Sequence, residues 1–163
     1  LVHAAGNDGA SIEKNHLYPS KHAAGDKDLK NWIAVGSIGM SGAPARSSNY
    51  GKTEVDLFAP GDGVYSTVPG NKYRSLRGTS MAAPVVTGVV AMIWNYFPEL
   101  SAGEVKQAIL KGVTCRKGEK VTKPGLSGKP VEIDFGKLCT TGGVLNALGA
   151  VMVAEEIYMK KSK

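Results

Sequence analysis

Residues 78–94 constrain the fold more than any other stretch. Gly78-Thr79-Ser80-Met81-Ala82-Ala83-Pro84 runs directly into an apolar segment, 85–94, interrupted by Thr87 and Gly88. A run of this kind falls short of the roughly 18–20 unbroken apolar residues of a membrane helix and reads as a core helix. It is expected to begin near Ser80 or Met81, to hold Pro84 in its first turn where a missing N–H is harmless, and to end before Pro98. Two roles are open to Thr79 and Ser80. The ordinary one is capping, in which a hydroxyl satisfies a free N–H of the first turn. The other is chemical: the positive end of the helix dipole and its free N–H groups stabilise an oxyanion formed beside Ser80. Gly78 lets a substrate approach the backbone closely, and Ala82 and Ala83 leave room beside the hydroxyl.

Short apolar runs closed by turn residues precede this helix. Residues 1–5 read as a buried strand stopped by Gly6-Asn7-Asp8-Gly9, residues 32–38 as a second, and 55–59 as a third, ended by Pro60-Gly61. Residues 64–68 and 73–77 flank Pro69-Gly70-Asn71 and read as a hairpin. Beyond the central helix, Ser101-Ala102-Gly103-Glu104 is a capping box opening a helix that ends near Gly112. A last helix spans about 146–161, with Lys160 and Lys161 suited to its C-terminal dipole. Residues 115–139, rich in Gly, Lys and Pro, read as an exposed loop or hairpin. Strands followed by helices that can cover a sheet indicate an α/β fold, built as three layers, α/β/α, around a parallel sheet.

The composition, 42% hydrophobic and 21% charged, belongs to a globular chain. The 21 glycines, about twice the average share of roughly 7%, suit a protein with many tight turns and close backbone approaches. A formal charge of +6 raises the question of an anionic partner. Much of it sits in the blocks 116–129 and 160–163, without interleaved aromatics, and this argues against nucleic acid. No membrane span is expected. Cys115 and Cys139 have neither metal-ligand nor redox spacing, so pairing and buried thiols both stay open. The chain opens Leu1-Val2-His3 on a run that reads as a strand entered midway, and the expectation is that further sequence precedes it.

Gly78-Thr79-Ser80-Met81-Ala82-Ala83-Pro84 resembles the nucleophile motif of the subtilase family, the subtilisin-like serine peptidases. Other landmarks follow the same order. The segment 1–9 is similar to the family's oxyanion-hole segment; Tyr18-Pro19, Trp32-Ile33-Ala34-Val35-Gly36, Ser48-Asn49-Tyr50-Gly51 and Val55-Asp56-Leu57-Phe58-Ala59-Pro60-Gly61 are similar to those after it. The likeness is close from 1 to about 110 and weaker beyond Gly112. It implies a serine endopeptidase acting on polypeptides through an acyl-enzyme on Ser80, with the Asn7 side chain and the Ser80 N–H as oxyanion donors. In subtilisin itself, loss of that asparagine costs about 10²–10³ in kcat. The resemblance further implies that Ala4, Ala5 and Gly6 form a wall of the substrate pocket and that Leu17 narrows its base. Gly78 and Thr79 border the substrate, and the Tyr18-Pro19 bond is cis.

The family's triad runs Asp, His, Ser, and a serine needs an oriented base. His3, His16 and His22 lie outside the family's histidine context, and neither Asp56 nor Asp62 matches its aspartate. The 163 residues therefore read as the C-terminal portion of one catalytic domain, inactive alone, with Asp and His supplied from upstream. Such a piece would expose a sheet edge and dimerise through it. No cofactor is expected in this chain; calcium, where the family has it, draws on the N-terminal part. Family resemblance implies an extracytoplasmic location. The alternatives are a non-catalytic, subtilase-derived interaction module, and a different serine hydrolase. The second lacks its Gly-x-Ser-x-Gly elbow.

Overall fold

The computed structural model describes residues 1–14, 18–22 and 29–161. In chain order the elements are β1 (Val2–Ala4), β2 (Ile33–Ile38), β3 (Leu57–Pro60), β4 (Val64–Val68), β5 (Lys72–Leu76), α1 (Thr79–Tyr96) and α2 (Ala102–Lys111). Then follow β6 (Thr114–Cys115), β7 (Lys120–Thr122), β8 (Glu132–Asp134), a 3₁₀ turn (Phe135–Lys137), β9 (Gly143–Val144) and α3 (Ala147–Lys161). One sheet has the order β1-β2-β3-β9-β6, parallel except for the antiparallel β6–β9 pair. Two separate hairpins, β4–β5 and β7–β8, complete the strands.

Parallel strands are buried on both faces, which explains why β2 reads as a nearly continuous apolar run, broken only by Ser37, and why all six of its residues are buried. Alternation sends Ile33 and Val35 of β2, with Leu57 and Ala59 of β3, to one face. There they share a core with Val86, Val89 and Ile93 of α1, Val105 and Ile109 of α2, and Ala150 and Ala154 of α3. Residues 79, 82, 86, 89 and 93 of α1 are buried, a three-four spacing that puts one helix face on the sheet. The opposite sheet face, carrying Ile38 and Phe58, packs on Val121, Phe135, Leu138 and Cys139. All three helices thus join the first core, and the segment 119–139 closes the second, with Phe58 and Phe135 meeting edge to face at 5.4 Å.

The expected mixed α/β architecture is present, with shifts of detail. The third strand starts at Leu57, two residues later than expected; the Asp56 N–H still donates to the Ala34 carbonyl, while the Val55 and Asp56 carbonyls accept from the N–H groups of residues 140 and 141. The central helix starts at Thr79, so Pro84 falls in its second turn and the Ser80 carbonyl loses the helical N–H it would otherwise accept. The capping box forms as expected: Ser101 Oγ accepts from the Glu104 N–H at 3.3 Å while the Ser101 N–H donates to Glu104 Oε2 at 2.7 Å. Asn146 caps α3, its Oδ1 accepting from the Gly149 N–H at 3.0 Å. The Tyr18–Pro19 bond is cis. Both cysteines are free thiols, Cys115 exposed and Cys139 buried.

Candidate active site

Two segments distant in sequence meet at the end of α1. The turn after β1 presents Gly6 and Asn7; the loop after β5 presents Gly78, Thr79 and Ser80. Thr79 ties them together, because its Oγ1 accepts from the Gly6 N–H at 3.1 Å and lies 3.2 Å from Asn7 Oδ1. The same Asn7 oxygen accepts from the Thr79 N–H at 2.9 Å. This arrangement excludes one of the two roles open to Thr79 and Ser80, that of capping α1. Gly78 is the residue before the helix and neither hydroxyl caps the first turn. The cap comes from the Asn7 side chain instead.

Because Thr79 N–H must donate to an oxygen, the Asn7 amide is oriented with Oδ1 on that N–H, and Nδ2 is its other arm. Asn7 is exposed, and Nδ2 has no partner among the described residues. The Thr79 N–H is taken by Asn7, and the Met81 N–H donates to the Gly78 carbonyl at 2.9 Å. The Ser80 N–H is left without a partner among the described residues, next to the exposed Ser80 hydroxyl. Two free donors and one hydroxyl at a helix N-terminus can receive developing negative charge.

Backbone anchoring sets the position of this helix start. The Gly78 N–H donates to the Gly61 carbonyl at 2.7 Å. A Cβ on Gly61 would lie 2.7 Å from the Gly78 carbonyl oxygen and 2.6 Å from Ser37 Cβ, so this close approach requires glycine. Gly78 has φ 133°, and a Cβ there would sit 3.2 Å from Asn7 Oδ1. Both the backbone geometry and the space beside Asn7 exclude a side chain.

Asn49, 1% exposed, holds the turn on the other side. Its Oδ1 accepts from the N–H groups of Asp8 and Ala10 at 3.0 and 3.1 Å. Its Nδ2 donates to the Ala5 carbonyl at 3.0 Å and to Asp8 Oδ2 at 3.1 Å. Every hydrogen-bonding site of one buried amide is spent on shaping residues 5–10. Sequence reasoning saw Asn49 only as a family landmark; its position within Ser48-Asn49-Tyr50-Gly51 carried no signal for this partnership.

Ala4 lies in β1 opposite Val35, and the Ala5 N–H donates to the Val35 carbonyl at 3.0 Å while its methyl enters the second core. Ala4, Ala5, Gly6, Asn7, Gly78 and Thr79 are therefore contiguous. Leu17 and His16 lie outside the described residues. Neither described histidine reaches Ser80. His3 stacks on Trp32 with ring centroids 4.8 Å apart, and partial burial lowers its pKa. His22 Nε2 lies 2.9 Å from Glu54 Oε2. Asp56 is buried under β2, accepting from the Ala34 N–H at 2.7 Å with Lys106 Nζ 3.9 Å away. Burial pushes its carboxyl above the usual range, against the Ala34 bond and Lys106, which pull it down.

The sequence signature of the Subtilase family matches residues 1–136. Subtilisin DY of Bacillus licheniformis is 41% identical over 115 residues, covering 70% of this chain and 39% of its own length. The major intracellular serine protease of Bacillus subtilis (strain 168) is 39% identical over 118 residues, covering 68% of this chain and 34% of its own length. Among solved structures, that of the subtilase cytotoxin SubAB superposes with a TM-score of 0.73 at 25% identity, covering 96% of this chain and 49% of that one. The self-cleaved protease domain of PatA gives 0.66 at 27%, covering 96% and 50%. The chain spans well under half the length of these two curated relatives and about half of these structures. A match over residues 1–136 of the 163 places the chain in the subtilase family.

Proposed function

We propose that the protein is a serine endopeptidase and that this chain is the C-terminal portion of its catalytic domain. The Ser80 Oγ attacks the scissile carbonyl carbon and gives its proton to a histidine contributed by upstream sequence, which an aspartate orients. The carbonyl oxygen becomes an oxyanion between Asn7 Nδ2 and the Ser80 N–H. The histidine returns the proton to the departing amine, leaving an acyl-enzyme on Ser80 that water hydrolyses. Ala4, Ala5 and Gly6 line the pocket for the residue before the scissile bond, Leu17 narrows its base, and Gly78 and Thr79 border the peptide. One observation carries this reading: Thr79, the residue before Ser80, consumes the Asn7 oxygen and so leaves the amide nitrogen unspent as a donor.

The 163 residues alone are inactive on this reading, since no described histidine is bonded to Ser80 and Ser80 Oγ has no hydrogen-bond partner among the described residues. The chemistry needs no cofactor from this chain, and calcium belongs with the N-terminal part. An extracytoplasmic location goes with the same reading; one relative is by its name intracellular, so the compartment is a separate measurement on the whole protein.

A fluorophosphonate probe tests the proposal, read by mass spectrometry at Ser80 in the full-length protein and in this chain, with Ser80→Ala as control. Labelling of Ser80 in the full-length protein and not in the isolated chain is the expected result. A folded full-length protein, freed of any propeptide, that takes no label has no working nucleophile, and the peptidase reading fails.

A further inference from the structure

Two adjoining cavities, of about 370 and 390 Å³, run from Gly78 along the loop that joins β7 to β8. The first lies between Gly78, Arg77, Asp62, Arg46 and Leu126; the second continues from Arg46 and Leu126 past Asp8 and along residues 122–131. Arg46 and Leu126 line both, so they form one groove whose near end lies two residues from Ser80. The loop is held in place at residue 46. The Gly125 N–H donates to the Arg46 carbonyl at 2.8 Å, and Arg46 Nε donates to the Gly125 carbonyl at 3.3 Å.

The groove is basic. Arg46, Arg77, Lys123 and Lys129 line it, against Asp8 and Asp62. The four cations outnumber the two acids: Asp62 lies 3.8 Å from Arg77 Nε and offsets part of its charge, and Asp8 Oδ2 accepts from Asn49. The terminal guanidinium nitrogens of Arg46 have no partner among the described residues, and Leu126 at the rim is 59% exposed. A peptide lying across Ser80 and leaving past Gly78 would meet an apolar rim and unspent positive charge.

We infer that the groove between Arg46, Arg77 and the β7–β8 loop is a substrate subsite that selects acidic side chains on one side of the scissile bond. The inference rests on the peptidase reading and adds the substrate class. Arg46 and Arg77 are specificity-determining residues, and Leu126 supplies the apolar contact that keeps the acidic side chain near them. Exposed charge pairs are individually weak, so two arginines give a preference of about tenfold, not an absolute requirement.

The test uses the full-length protein and a peptide series with Glu, Ala or Lys placed in turn at each position flanking one cleavage site. In the wild type, the Glu peptide is expected to exceed the Lys peptide by about tenfold or more in kcat/KM at one or two neighbouring positions. Raising salt toward about 1 M is expected to erase the preference. Arg77 is 83% exposed, so Arg77→Glu keeps the fold, and it is expected to invert the order so that Lys exceeds Glu. Cleavage of all peptides with equal kcat/KM, or a preference that Arg77→Glu leaves unchanged, overturns the subsite while sparing the peptidase reading. Failure to cleave any peptide removes both, unless Ser80→Ala protein still binds the Glu peptide more tightly than the Lys peptide; that result supports the groove's selectivity and limits the failure to the chemistry.

Discussion

At the scale of single residues, Asn7 has two separable jobs. Its oxygen caps α1 through the Thr79 N–H, and its nitrogen, without a partner among the described residues, is the proposed oxyanion donor. Asn7→Asp separates them: a carboxylate still accepts from Thr79 but offers no N–H and puts negative charge where the oxyanion would form. In the full-length protein this variant is expected to melt close to the wild type while losing at least about 10²-fold in kcat. A comparable loss of melting temperature would mean that Asn7 acts through structure alone. Ser37 poses the opposite case. It is fully buried and its Oγ has no hydrogen-bond partner among the described residues. A buried, unsatisfied hydroxyl is a cost, so Ser37→Ala is expected to stabilise the protein by about 1 kcal/mol in denaturant unfolding. A destabilised Ser37→Ala variant would show that the hydroxyl has a partner after all. Gly78 and Thr79 stood out in the sequence because the chemistry of a helix N-terminus restricts which residues can stand there, whereas Asn7, in a plain turn sequence, stood out only through the family resemblance. Asn49, Arg46 and Leu126 did not, since their partners come from other segments and no local pattern announces such a meeting.

At the scale of elements, legibility followed length and burial. The strand β2 and the helices α1, α2 and α3 carry apolar runs, caps or dipole-matched charges, and each lies within a few residues of its expected bounds. The strands β6 and β9 have two residues each, and β7 and β8 three, too few for any periodicity to register. The α2 capping box offers a test with a definite pH signature. Hydrogen bonds from Ser101, then the contact with Lys161 at 3.0 Å, hold the Glu104 pKa at about 2, below its ordinary 4.5. A carboxylate whose folded pKa is depressed stabilises the fold above the unfolded value, and the contribution drains away as pH falls toward the folded value. The wild type is therefore expected to melt above Glu104→Ala near neutral pH. The gap should close as pH drops from 4.5 toward about 2. A gap of constant size across that interval would assign the effect to helix propensity, with no share for the charge.

At the scale of the whole molecule, the sheet has an open side. Leu1 O accepts from the Ile33 N–H at 2.9 Å and the Ala5 N–H donates to Val35 O at 3.0 Å, so residues 1, 3 and 5 of this parallel ladder face β2. Val2 and Ala4 then direct their N–H and C=O groups to the opposite side, where no strand follows among the described residues. Beside this edge, α1 packs on β1, and the same helix leaves Trp94 and Tyr96 exposed near its C-terminal end. An unpaired strand edge flanked by apolar helix surface is a template for another chain. The family resemblance pointed to such an edge, whereas the cover that residues 119–139 provide for the second sheet face left no such trace in a Lys- and Gly-rich stretch. On the proposed reading the rest of the catalytic domain pairs with this edge in the full-length protein, and in the isolated 163-residue chain a second copy is expected to take its place. That chain is expected to sediment as a dimer, and Val2→Pro to shift it toward monomer, because proline removes an outward-facing ladder donor without touching the bonds to β2. An unfolded variant is distinguished by its circular dichroism. A wild-type chain that stays folded and monomeric at every concentration tested would show that the edge is protected, and the dimer expectation would fall.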